Sequence, residues 1–169
     1  MSITTAPERP PSRPGNAPAY AEAVDRLLPA GGDRRGALLP LLHALQGEFG
    51  YIDDAMVPHV ADALNLSRAD VHGVVTFYHD FRRQPAGRHV VRLCRAESCQ
   101  ARGGAAIERA AVDRLGVAMG ATRGDGQVSL EPVYCLGLCA TGPNALVDGV
   151  PVSRIDAVAL DRIVARVGA

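Results

Sequence analysis

Four cysteines are the whole thiol complement of this 169-residue chain, and they stand in two pairs. Cys94 and Cys99 enclose four residues, and Cys135 and Cys139 enclose three. Thiolates serve as nucleophiles, redox partners and soft metal ligands. Four of them brought together by a fold permit three chemistries. Two disulfides need an oxidising compartment, and residues 1–18 hold five prolines without the apolar core of an export signal. Structural zinc usually takes tight Cys-x2-Cys knuckles, narrower than either pair here. Iron–sulfur clusters are also held by four thiolates and tolerate wider gaps, including a Cys-x4-Cys element. Spacing alone does not separate two irons from four.

An oxidised two-iron centre with four thiolates carries a net charge of about −2 from its formal valences. It needs hydrogen-bond donors and positive potential nearby. Residues 102–115 read as one helix, with Ile107, Ala111 and Leu115 repeating every four positions. Its N-terminus is expected to point free N–H groups at the thiolates. Arg95 and Arg102 flank the first pair, either as positive potential or as plain solvated charges. Around the second pair, Cys135 to Pro143 reads as a loop whose glycines let backbone N–H groups approach sulfur.

The elements that must position these thiols change character along the chain. Residues 1–18 form a proline-rich tail, disordered or ordered by a partner. Helices are expected over 19–29, 35–47, from Asp53 or Asp54 through Leu64, and from a Ser67/Asp70 capping box towards Tyr78. Gly31-Gly32 breaks the first helix, and Gly47 and Gly50 end the second. Residues 19–81 thus make a helical unit, and 82–88 a polar linker. Residues 89–169 then read as strand, helix, strand, strand, hairpin, helix. The strand at 89–93 runs into Cys94, and the strand from Val128 delivers Cys135. Asp148-Gly149 turns the hairpin, Pro151 puts its second strand at an edge, and Asp156 caps the last helix. The fold class is α+β: an N-terminal helical bundle, then an α/β domain with a mixed sheet.

Composition narrows the function. Acidic and basic residues balance to a net charge of zero and basic residues do not cluster, which disfavours nucleic acid and anionic membrane as partners. No apolar run approaches the roughly 20 residues of a membrane span. These features are expected of a cytoplasmic protein. His72 and His79 could share a helix face, but four cysteines already complete a coordination shell. His43, His59 and His89 read as surface or partly packed groups, and Phe77, Tyr78 and Phe81 as core or partner-facing. Gly124-Asp125-Gly126 lacks the third glycine of a dinucleotide loop. No acid, base and nucleophile set stands out, so the chain is not expected to catalyse alone.

The layout resembles the thioredoxin-like two-iron ferredoxin family. That family includes the 24-kDa-type subunit of complex I and related subunits of NAD-linked hydrogenases and formate dehydrogenases. The resemblance covers about residues 18–169. Leu39 to Ile52 looks like the family's helix-and-turn signature, and Val71-His72-Gly73-Val74-Val75-Thr76-Phe77-Tyr78 like its second signature. Cys94-x4-Cys99 and Cys135-Leu136-Gly137-x-Cys139 match its four ligands. The resemblance implies a thioredoxin-like second domain binding one [2Fe-2S] cluster through Cys94, Cys99, Cys135 and Cys139. It also implies a helical first domain docked on a flavoprotein subunit that carries FMN and binds NAD.

Cys94-Arg95-Ala96-Glu97-Ser98-Cys99-Gln100 is similar to the gamma subunit of soluble, molybdenum-containing, NAD-dependent formate dehydrogenases. That implies a partner subunit with a molybdenum cofactor and further iron–sulfur centres, and the reaction formate plus NAD⁺ to CO₂ plus NADH. Complex I, an NAD-reducing hydrogenase and a zinc-stabilised interaction module are the competing readings.

Overall fold

The computed structural model describes residues 17–28 and 36–167. Of the tail expected over 1–18, residues 1–16 lie outside them while Ala17 and Pro18 belong to the first helix, and the Gly31-Gly32 break also lies outside. The described residues fall into two compact units, 17–85 and 86–167.

The first unit has four helices: α1 Ala17–Leu27, α2 Leu38–Phe49, α3 Met56–Leu64 and α4 Arg68–Phe77. Its core gathers one face of each, with Tyr20, Leu42, Leu45, Met56, Val60 and Val71 all 0–1% exposed. The ends are written in local chemistry. Ser67 Oγ accepts the Asp70 N–H at 3.0 Å, and the Asp70 carboxylate accepts the Ser67 hydroxyl at 2.6 Å and its N–H at 3.2 Å. Those bonds, the hydroxyl foremost, hold the Asp70 carboxyl below its ordinary value. Gly50 ends α2 at φ +84°, and Asn65 ends α3 at φ 55°. Gly47, expected to stop α2, stays inside it. The helix runs on to Phe49 and ends at Gly50, and nothing stands within 4 Å of a Cβ built on Gly47.

The second unit contains β1 His89–Cys94, α5 Glu97–Ala101, α6 Gly104–Leu115, β2 Ala121–Thr122, β3 Val128–Val133, β4 Ala145–Val147, β5 Val150–Val152 and α7 Ala157–Val167. The strand order is β2-β3-β1-β4-β5. β1 and β3 run parallel, with Cys94 opposite Val133, and the other pairs are antiparallel. This mixed sheet shares one core with α6 and α7, through Val91, Leu130, Ala111, Leu115, Leu160 and Ile163. A parallel pair buried under helices reads as a run of apolar residues, as Val90, Val91 and Leu93 do.

Several local signals hold. Asp148 and Gly149 turn the β4–β5 hairpin with φ 52° and 83°. Pro151 lies on edge strand β5, where a missing N–H costs no ladder bond. Asp156 Oδ1 accepts the Ala159 N–H at 2.8 Å and so caps α7. The strand expected over 117–122 shrinks to two residues. Ala121 N–H turns back to the Ala118 carbonyl at 3.1 Å, and Gly120 sits at φ +81°. The helix expected over 102–115 is α6, which starts at Gly104 because Gly103 sits at φ +92°, and the short α5 precedes it. His72 and His79 do not share a helix, since α4 stops at Phe77.

Candidate metal centre

Both cysteine pairs lie at the C-terminal ends of the two parallel strands. Cys94 is the last residue of β1, and Cys99 follows inside α5. Cys135 stands two residues beyond β3, and Cys139 opens a short 3₁₀ turn. Parallel pairing in register puts both chain exits side by side. Arg95 N–H bonds to the Val133 carbonyl at 2.8 Å, and Cys94 N–H to the Asn144 carbonyl at 3.0 Å.

The pairs differ in setting. Cys94 and Cys99 are buried, while Cys135 and Cys139 are exposed. Cys135 Sγ and Cys139 Sγ are 4.0 Å apart. Two thiolates bound tetrahedrally to one metal at about 2.3 Å would stand about 3.8 Å apart. Among the described residues, no three His, Cys, Asp or Glu side chains are close enough to hold a single ion. The thiols lie as two pairs.

Donors surround the sulfurs. Burial pushes the Cys94 thiol up, but the N–H groups of Ala96, Cys135 and Leu136 and the Cys99 thiol outweigh it, so the net shift is downward. Burial and the neighbouring Cys94 raise Cys99, and the main-chain and side-chain N–H groups of Asn144 oppose them. Gly137 N–H lies 3.4 Å from Cys135 Sγ. Cys139 is raised chiefly by its contact with Cys135. N–H groups aimed at sulfur favour thiolate over thiol; they prevail at Cys94, while burial and neighbouring thiols prevail at Cys99. The donor set therefore fits an anionic iron–sulfur cluster.

The source of those donors corrects the sequence expectation. They come from the two cysteine loops and Asn144. Arg95 is not free positive potential, because it pairs with Glu108 at 3.0 Å. Arg102 reaches the Ala140 carbonyl at 3.2 Å and so ties one cysteine loop to the other. Ser98 does the same through the Cys139 carbonyl at 3.3 Å. Glu97 is exposed in the first turn of α5. His89, read as partly packed, pairs with Asp148 at 3.0 Å. Sequence reading missed Asn144 as a site residue. The signal was a lone amide between the second cysteine pair and a short apolar strand.

Two glycines pack closely against Cys99, and one of them is demanded by it. A Cβ on Gly142 would lie 3.2 Å from Cys99 Sγ. A Cβ on Gly104 would lie 2.7 Å from the Cys99 carbonyl oxygen and 3.0 Å from its carbon, both backbone atoms that cannot swing away. Gly104→Ala should therefore destabilise the protein by about 1–3 kcal/mol, as overpacking does. Gly47→Ala, with open space around it, should instead stabilise by about 0.5–1 kcal/mol. Denaturant unfolding of the two variants checks the opposite signs. Shifts of the same sign and size would refute the steric account.

A mixed sheet whose parallel strands each end in a cysteine pair, covered by helices, defines a thioredoxin-like fold with a thiol-rich centre. The family model of the thioredoxin-like [2Fe-2S] ferredoxins matches residues 24–168, and the chain belongs to that family. An NADH-quinone oxidoreductase subunit of Escherichia coli K12 is 37% identical over 77% of this chain and 78% of its own. The subunit of the same name from Mycobacterium bovis is 40% identical over 69% of this chain and 46% of its own. Among solved structures, an NAD⁺-reducing [NiFe]-hydrogenase in the air-oxidised state superposes with a TM-score of 0.68 at 23% identity. That match covers 78% of this chain but 22% of the hydrogenase chain, and it speaks for the fold.

Proposed function

We propose that this chain is the electron-transfer subunit of an NAD-dependent, molybdenum-containing formate dehydrogenase. In this reading it holds one [2Fe-2S] cluster through Cys94, Cys99, Cys135 and Cys139, beside a subunit that carries FMN and binds NAD. The observation that carries the cluster assignment is the convergence of two cysteine pairs at the ends of adjacent parallel strands. When bound, such a cluster takes up and gives back one electron. The chain's own residues fix the environment. Cys94 and Cys99 anchor the buried side, and Cys135 and Cys139 open the other side to solvent. The N–H groups of Ala96, Leu136, Gly137 and Asn144 offset the negative charge.

The helical unit is assigned to docking. Phe77 is 72% and Tyr78 43% exposed, with ring centroids 5.1 Å apart. Both belong to the signature at Val71–Tyr78, and a large exposed aromatic pair suits an interface. Among the described residues no helix is long and apolar enough to cross a membrane.

The loop from Cys94 to Gln100, with exposed Glu97, supports the formate dehydrogenase type. The names of the curated relatives favour a second reading, the equivalent subunit of an NADH-quinone oxidoreductase. Purification of a tagged chain from its own cells distinguishes them. Co-purifying subunits that contain molybdenum and reduce NAD⁺ with formate are expected. Co-purifying NADH–quinone activity without formate oxidation would overturn the formate assignment. Stoichiometric zinc with no visible absorption would overturn the cluster itself.

A further inference from the structure

Asn144 is one of two buried polar residues among those described, at 2% exposed, and it touches both cysteine loops. Its carbonyl accepts the Cys94 N–H at 3.0 Å. Its side-chain Nδ2 donates to the Leu138 carbonyl at 2.7 Å and stands 3.6 Å from Cys99 Sγ. Its main-chain N–H is also directed at the Cys99 sulfur. The short bond from Nδ2 to the Leu138 carbonyl orients the amide with its NH₂ towards that carbonyl and the sulfur, and Oδ1 faces the Thr141 side at 3.4 Å from its Oγ1.

Resting on the function proposed above, we propose that Asn144 is a positioning residue that raises the reduction potential of the cluster by donating its side-chain N–H to the Cys99 sulfur. Reduction adds negative charge to the centre. A donor aimed at a ligand sulfur stabilises the reduced form more than the oxidised one. Burial strengthens the effect, because low local dielectric amplifies each hydrogen bond. Purely structural duty is shared by others. The Leu138 carbonyl also accepts from Thr141 N–H at 3.0 Å and Thr141 Oγ1 at 3.1 Å. Ser98 and Arg102 tie the same loops together. Losing the Asn144 amide therefore leaves the loops anchored while removing a donor to sulfur.

The test is a redox titration of the full-length chain and two variants, followed by the electron spin resonance signal of the reduced state. Asn144→Leu keeps the volume without the donor. Asn144→Asp keeps the shape but turns an acceptor towards sulfur. The reduction equilibrium of Asn144→Leu should fall about tenfold, a midpoint about 59 mV lower for one electron. That of Asn144→Asp should fall further, with iron near two per chain in both. Parental midpoints in both variants would overturn the inference. So would loss of iron from both, since the amide would then be scaffold. A parent chain that binds zinc and shows no redox signal would instead overturn the cluster reading on which the inference rests.

Discussion

Cys135→Ser should lose most of its iron and sulfide, and amide hydrogens across residues 128–147 should exchange at least about tenfold faster. Cys135 closes the exit of β3, and Cys94 that of β1, so a shared centre would clamp the ends of two strands already paired in register. Metal binding energy in such a site is folding energy, and tenfold in exchange corresponds to about 1.4 kcal/mol of opening free energy. Serine offers a similar size with a harder, less acidic ligand atom. It leaves the strain of Cys135 at φ +82° unchanged, so the effect isolates the sulfur. Residues 38–77 should keep their helicity, since their core is a separate cluster. Equal protection across 128–147 in variant and parent would remove the clamp from the account.

Leu45→Ala should open the helical unit while leaving the visible absorption of the cysteine unit in place. Leu45 is fully buried among Tyr20, Leu42, Ile52 and Met56. Truncating such a leucine costs about 2–5 kcal/mol, because transfer and cavity terms add. In a unit of this size, about 3 kcal/mol lowers the melting temperature by more than about 10 °C. The readout is a thermal melt followed twice, by far-ultraviolet circular dichroism and by visible absorbance. The helical signal should melt early, and the colour should persist to near the parental temperature. Both signals falling together, at one lowered temperature, would mean that the two cores unfold as one cooperative body.

Much of this molecule was legible because its instructions are local. The Ser67/Asp70 box, the Asp148-Gly149 turn and the Asp156 cap each act over a few residues. A hydrogen bond between neighbours in sequence needs no tertiary partner. The strands leading to Cys94 and Cys135 were legible from apolar runs for the same reason. Where glycine stood, the reading was ambiguous. Gly47 was absorbed into α2, whereas Gly103 stands at φ +92° as the N-cap of α6, after the short α5. Glycine permits either outcome, so residue type alone does not select one.

By itself the sequence determined the four thiols, their pairing by spacing, the α+β class and the helix caps at Ser67 and Asp156. These depend on residue type and short-range chemistry. Tertiary structure decided that β1 lies parallel beside β3, placing Cys94 opposite Val133 and near the N–H groups of Cys135 and Leu136. It also decided that Arg95 turns to Glu108, and that Asn144 stands between both loops. Partners far apart in sequence are chosen by which apolar faces can be buried together. No local pattern encodes that choice, so the donors that reach the sulfurs became visible only once the sheet had closed.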